Sequence, residues 1–353
     1  MNVQADGTVF SGDVYADLEK RYPGDSWDSS DTNAYGCVNQ LYQLKKKNRG
    51  LKVILSIGGY NWSGNFPAAA SSDATRKVFA LSAIAFMKDW GFDGIDIDWE
   101  YPSDEKEAMN LTYLLQVLRQ ELDVYAAQHA KGHHFLLTIA APANPAHISK
   151  LNIKNIASTV DYINLMAYDY AGSWDNITGY AANIGSSATN PSAIRFATET
   201  ALKAYVSGGA KASQIVLGMP VYGRSFEQTQ GIGMPYSGTG QGSWEAGVWD
   251  YKVLPKSGAE VFCDYDVQGC YSLDVEAKEL ISYDTAPMVY SKVNWLKRNG
   301  LAGSVFWEAS ADRKDEQSLI ANSYHALAST DDTVNQIEYP DSKFDNIRRG
   351  PSK

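Results

Sequence analysis

The chain has 353 residues, of which 44% are hydrophobic and 20% charged, enough to bury one large core or two smaller ones and unlike a disordered polymer. A formal charge of -10 argues against nucleic acid or an anionic membrane as partner, because both need concentrated Lys and Arg. No run reaches the roughly 18 apolar residues of a membrane span, and the opening "MNVQADGTVF" lacks the basic and apolar regions of a signal peptide.

Taken in chain order, short apolar strands alternate with longer amphipathic stretches. "YGCVNQLYQLKK" has a helical period that predicts a buried free thiol at Cys37, with Lys45 to Lys47 and Arg49 as the solvated end of the helix. Strands are predicted over 52–59, 92–100, 135–142, 161–169, 215–223 and 302–310. Helices are predicted over 74–90, 104–130, 191–206, 288–299 and 318–328. That alternation is the pattern of a parallel α/β fold, and six strong strands with polar or aromatic ends fit a (β/α)8 TIM barrel, whose site gathers at the C-terminal strand ends. Residues 1–223 and 288–330 are assigned to the barrel. Residues 224–287, rich in Gly, Tyr and Trp, read as an α+β insertion subdomain, and 331–353 as a polar C-terminal extension. Cys263 and Cys270 bracket "DYDVQG" and can pair, which suits an oxidising compartment. No HExxH, CxxC or GxSxG motif is present, so the sequence offers no support for a metal or serine hydrolase.

The most informative stretch is "FDGIDIDWEYP", with four carboxylates between Asp93 and Glu100. Side chains alternate along a strand, so Asp96, Asp98 and Glu100 share one face while Ile95, Ile97 and Trp99 share the other. Like charges on a confined face cannot all be ionised at neutral pH, so at least one of the three should hold a proton. A row along one strand is a poor cage for Mg²⁺ or Ca²⁺, and no metal is predicted.

"DGIDIDWE" matches the DxxDxDxE signature of family-18 glycoside hydrolases, and "LSIGGY", "INLMAYDYAGSWDN", "GMPVYGRSF" and "FWEASAD" follow in that family's order. With "YPGDSW", "YGCVNQLYQLKK" and "FDNIRRG", the chain most resembles the fungal class V chitinases. The resemblance implies an extracellular endochitinase that needs no cofactor and cleaves β-1,4 bonds between N-acetylglucosamine units of chitin; a monomer is the default expectation. It implies Glu100 as general acid/base, Asp98 as the residue that orients the substrate's acetamido group, Asp96 sharing a proton with Asp98, and Tyr168 as a donor to the acetamido oxygen. Tyr60, Trp62, Met166, Asp169, Tyr222, Arg224 and Trp307 would bind sugar, with Ser56 and Asp93 in supporting roles. Tyr236, Trp244, Trp249 and Tyr251 are expected either to extend the aromatic platform or to form the core of the insert. Set against the family pattern, the chain is expected to lack the usual first strand and most of the second. A non-catalytic chitin-binding lectin and an endo-N-acetylglucosaminidase are the alternative readings.

Overall fold

The computed structural model describes residues 1–25 and 31–350. Ser26 and Trp27 of "YPGDSW", and the last three residues of the C-terminal extension, lie outside the described residues.

A hairpin of β1 (Asn2–Val3) and β2 (Val9–Phe10) opens the chain, followed by α1 (Gly36–Lys47) and β3 (Ile54–Gly58). Then come α2 (Phe66–Ala69), α3 (Asp73–Trp90), β4 (Gly94–Asp98), α4 (Glu105–His129), β5 (Leu136–Pro142), α5 (Pro145–Ile148), α6 (Ile153–Ala157) and β6 (Tyr162–Met166). The second half holds α7 (Thr198–Ser207), β7 (Ile215–Pro220), β8 (Tyr222–Phe226), β9 (Val248–Asp250), β10 (Glu260–Asp264), β11 (Gly269–Asp274) and β12 (Glu279–Ser282). It closes with α8 (Ala286–Arg298), β13 (Gly303–Trp307), α9 (Leu319–Leu327) and α10 (Asp345–Arg348). All six predicted strands are present, as β3, β4, β5, β6, β7 and β13, and they form one sheet in the order β13-β7-β6-β5-β4-β3. With its helical crossovers, this sheet belongs to the (β/α)8 TIM-barrel type. Contacts divide the chain into two compact units.

The first unit comprises residues 1–140, 150–163 and the tail from Asp331. Its strands β3, β4 and β5 run parallel in register, with Ser56 beside Asp96 and Asp96 beside Thr138. Gly58 lies at φ +112°, and a Cβ there would sit 2.1 Å from the Asp98 carbonyl, so only glycine lets β3 end this close to β4. The Met1 amine donates to the Ser56 carbonyl at 2.9 Å and the Gly58 N–H to the Met1 carbonyl at 3.0 Å, so β3 has partners on its other side too. Ser72 and Thr75 form a capping box that starts α3, and Gly91 ends it in the left-handed region.

Two readings of α1 are corrected. The helix buries Val38, Asn39, Tyr42 and Lys45, spaced by three or four residues, which turns Cys37 to the exposed face. Lys45 is not solvated: it is fully buried, 2.8 Å from the Asp93 carboxylate, and donates to the Gly91 carbonyl at 2.5 Å. Burial draws its pKa down to about 8 against the opposing pull of Asp93.

The tail carries more core than its polar sequence suggests, since Ile337, Tyr339, Phe344 and Ile347 are all buried. Tyr42 donates to the Ile337 carbonyl at 2.7 Å, Tyr339 to that of Phe92 at 2.7 Å, and the Asn335 amide to the carbonyls of Lys45, Asn48 and Leu51. A single asparagine thereby ties the tail to the last turn of α1 and the loop after it.

In the second unit, residues 141–149 and 164–330, β7 and β13 pair in parallel. The segment predicted as one strand over 215–223 breaks after Pro220, and β8 instead joins an antiparallel sheet of order β10-β11-β12-β8-β9. Among the described residues, 224–285 holds strands and one 3-10 turn at Tyr251–Val253, with α8 starting at Ala286. Cys263 and Cys270 sit opposite each other in the β10–β11 register and are joined by a disulfide. Asp284 and Lys292 form a second fully buried ion pair at 2.6 Å.

Candidate active site

Strand β4 delivers the carboxylate row of the first unit. Ile95, Ile97 and Trp99 are buried, Trp99 stacking on Phe66 at 5.3 Å, while Asp96, Asp98 and Glu100 alternate with them on the partly open face. Asp96 accepts hydrogen bonds from the Ser56 hydroxyl at 2.7 Å and the Thr138 hydroxyl at 2.6 Å.

Burial, then the charges of Glu100 and Asp96, then a hydrogen bond with Glu100, push Asp98 up to about 8. It therefore holds a proton at neutral pH, which it can donate to Glu100. The sequence reading pairs that proton with Asp96; here the Ser56 and Thr138 hydroxyls donate to Asp96, and Asp98 hydrogen-bonds to Glu100. Asp98 Oδ1 is buried and has no hydrogen-bond partner among the described residues.

The Glu100 N–H donates to the Ser63 hydroxyl at 2.8 Å, and that hydroxyl donates to the Gly59 carbonyl at 3.0 Å. The Gly59 N–H in turn donates to the Asp98 carbonyl at 2.8 Å. Ser63 and Thr138 therefore hold the row in place. Neither was singled out in the sequence, because a lone hydroxyl has no motif of its own, although Thr138 is found by counting the β4–β5 register. Tyr60 and Trp62 occupy a 3-10 turn just after β3, and Tyr60 is 80% exposed. Trp62 lays its ring against the Gly12 backbone, where a Cβ would come within 2.4 Å of it. Asp93 stands apart from the row, buried before the start of β4. It pairs with Lys45 and accepts the N–H groups of Val53 and Gln336 at 2.7 and 2.9 Å.

The second unit holds a separate polar cluster. Asp169, at φ +59°, accepts the Tyr222 hydroxyl and both Nε and Nη2 of Arg224, each at 2.8 Å. This two-pronged pair fixes the guanidinium plane, which also faces the ring of Trp174 at 5.1 Å. Burial, followed by Asp169, pushes the Tyr222 phenol well above its ordinary value, so it stays a donor. Tyr168 packs edge-on to Tyr222 at 6.3 Å and lies against Gly218, where a Cβ would be 2.9 Å from its ring. Met166 ends β6, and Trp307 ends β13 with 60% of its surface exposed. Trp174 was missed because its sequence neighbours carry no strand pattern. Of the four aromatics of the insert, Tyr236 and Tyr251 point inward, donating to the Asp175 and Gln317 carbonyls, whereas Trp244 is 87% exposed. Among the described residues no group of three or more His, Cys, Asp or Glu is placed to hold a metal ion.

The family model for glycosyl hydrolases family 18 matches residues 1–312. The chain belongs to glycosyl hydrolase family 18. Within that family it is 63% identical over 350 residues to Chitinase 1 of Aphanocladium album, covering 99% of this chain and 83% of the relative. It is 56% identical over 349 residues to Endochitinase 1 of Metarhizium robertsii, covering 99% of this chain and 82% of the relative. Among solved structures, the catalytic domain of a psychrophilic chitinase B from Arthrobacter TAD20 superposes with a TM-score of 0.82 at 28% identity, over 94% of this chain and 85% of that one. Chitinase ChiA74 from Bacillus thuringiensis gives 0.84 at 31% identity, over 94% of this chain and 59% of that one.

Proposed function

We propose that this enzyme is an endochitinase that hydrolyses β-1,4 bonds between N-acetylglucosamine units with retention of configuration. The observation that carries the reading is the carboxylate row itself: an Asp96 held by two hydroxyls, and an Asp98 raised to about 8 that shares its proton with Glu100. The names of the family-18 relatives supply the substrate class.

In this mechanism the proton held by Asp98 passes to Glu100, leaving Asp98 ionised; Glu100 protonates the glycosidic oxygen, and the substrate's own acetamido carbonyl attacks the anomeric carbon as the bond to the leaving sugar breaks. No second carboxylate nucleophile is needed. The acetamido N–H donates to Asp98, whose Oδ1 has no hydrogen-bond partner among the described residues, a deficiency that a buried acceptor leaves costly. Asp98 thereby aligns the attacking oxygen and offsets the positive charge of the oxazolinium intermediate. Glu100, now ionised, takes a proton from water as that water opens the intermediate, which restores the acid and gives the β-anomer.

Tyr168 serves as a donor to the acetamido oxygen, Met166 and Trp307 as the apolar floor, and Asp169, Tyr222 and Arg224 as a rigid polar rim. Tyr60 and Trp62 serve as stacking platforms for further sugars. We assign its action to the outside of the cell, where its disulfide is stable. The test is the variant Glu100→Gln assayed on N-acetylglucosamine oligomers and on a high-mannose glycoprotein. Hydrolysis of the oligomers alone, abolished in the variant while oligomer binding persists, supports the reading; cleavage of the glycoprotein in preference would replace it with an endo-N-acetylglucosaminidase.

A further inference from the structure

The second unit contains a cavity of about 550 Å³ that the reaction does not use, lined by Tyr180, Phe262, Asp264, Tyr265, Asp266 and Tyr271. Its wall is the β10–β11 hairpin. The strand order puts β11 and β12 between β10 and β8, so the hairpin is separated from the strand of Arg224 and Tyr222 by β12.

Three features of the cavity point to one kind of ligand. Its walls are aromatic: Phe262 and Tyr271 stack at 5.3 Å with a 21° tilt, and Tyr265, 56% exposed, stands at the turn. Such faces take the apolar side of a pyranose ring or a cation. The charged residues of its lining, among the described residues, are both acidic, Asp264 and Asp266. Asp264 spends one oxygen on the N–H groups of Asp266 and Val267, and no side-chain hydrogen bond occupies Asp266. Finally, Tyr180 is only 5% exposed, its ring packs against Gly269, and no protein hydrogen bond to its hydroxyl is seen among the described residues. That hydroxyl is open to the cavity and can donate to or accept from a ligand there. Burial and then the Asp264 charge hold it well above its ordinary pKa, so it remains a neutral hydroxyl.

We infer that this cavity is a second saccharide site that binds a positively charged amino-sugar unit, the glucosamine of partly deacetylated chitin. The ring stacks on the aromatic wall, the ammonium meets Asp264 and Asp266, and the Tyr180 hydroxyl meets a sugar hydroxyl. The choice of ligand rests on the chitin reading, but the site uses none of the residues of that reaction. It would hold the enzyme on stretches of polymer that lack the acetamido groups needed for cleavage.

The probe is fully deacetylated glucosamine tetraose, titrated calorimetrically into the whole chain at mildly acidic pH in the presence of excess N-acetylglucosamine dimer. Binding is expected to persist against the dimer and to weaken with added salt. Tyr265→Ala, at an exposed position, should weaken it about tenfold, and Tyr180→Phe, which keeps the ring, about three- to tenfold. Asp266→Asn should weaken it about threefold, and all three variants should hydrolyse short acetylated oligomers at the parent rate. No binding, complete displacement by the dimer, or equal binding by the parent and all three variants overturns the inference. Normal chitin hydrolysis without tetraose binding removes only this site; tetraose binding without hydrolysis removes only the proposed reaction.

Discussion

Replacing Asp98 by Asn should stabilise the fold while disabling the chemistry, and the stabilisation should depend on pH. In the folded chain Asp98 is raised to about 8 from an ordinary 3.8, mainly by burial and then by Glu100 and Asp96. Below pH 3.8 the carboxyl is protonated whether the chain is folded or not, and it costs nothing. As the pH rises, the unfolded chain sheds this proton while the native chain keeps it, so stability falls steadily until the pH passes about 8. At pH 7 that difference amounts to about 4 kcal/mol, from roughly three pH units at the linkage slope. Asn cannot ionise, so the variant escapes the loss. Urea unfolding of parent and variant at pH 4 and pH 7.5 measures it: the two curves should nearly coincide in acid and separate by several kcal/mol near neutrality. Activity on N-acetylglucosamine oligomers should fall by about 10²-fold or more, since Asn cannot pass a proton to Glu100. A parent and variant with parallel pH dependence of stability would show that Asp98 is not held protonated, and the argument from its burial would fail.

Lys45→Met should destabilise the protein by about 3–5 kcal/mol, because it leaves the Asp93 carboxylate buried without its cation, and chemical denaturation reads this directly. The parent's stability should also rise between pH 8 and 10.5, since folded Lys45 releases its proton before the unfolded chain does, and Lys45→Met should lack that rise. Arg224→Lys should raise KM for chitin oligomers severalfold with a smaller change in kcat, because an ammonium cannot make the two-pronged bond to Asp169 that holds the rim.

The barrel strands were legible because each is a short apolar run bounded by Gly or polar residues, and the carboxylate row was legible because strand alternation puts Asp96, Asp98 and Glu100 on one face whatever the rest of the fold does. What the sequence concealed depends on contacts between residues far apart. Lys45 reads as surface because it opens a run of three lysines; only its position one turn beyond Tyr42, facing Asp93, turns it inward. The tail reads as polar because Ile337, Tyr339 and Ile347 are isolated among charges, yet each fills a prepared place against the first unit. The supporting hydroxyls of Ser63 and Thr138 are ordinary residue types whose role exists only in the register of three strand ends. The like-charge row predicts that one carboxyl holds a proton; that burial places it on Asp98 depends on the fold around the strand end.

The most direct test of the proposed reaction is the NMR spectrum of freshly cleaved N-acetylglucosamine oligomer, recorded for the parent and for Glu100→Gln before the anomers equilibrate. The β-anomer should appear first with the parent and essentially no product with the variant. The α-anomer as first product, or an undiminished rate in the variant, would contradict acid/base catalysis by Glu100 on a substrate that supplies its own nucleophile.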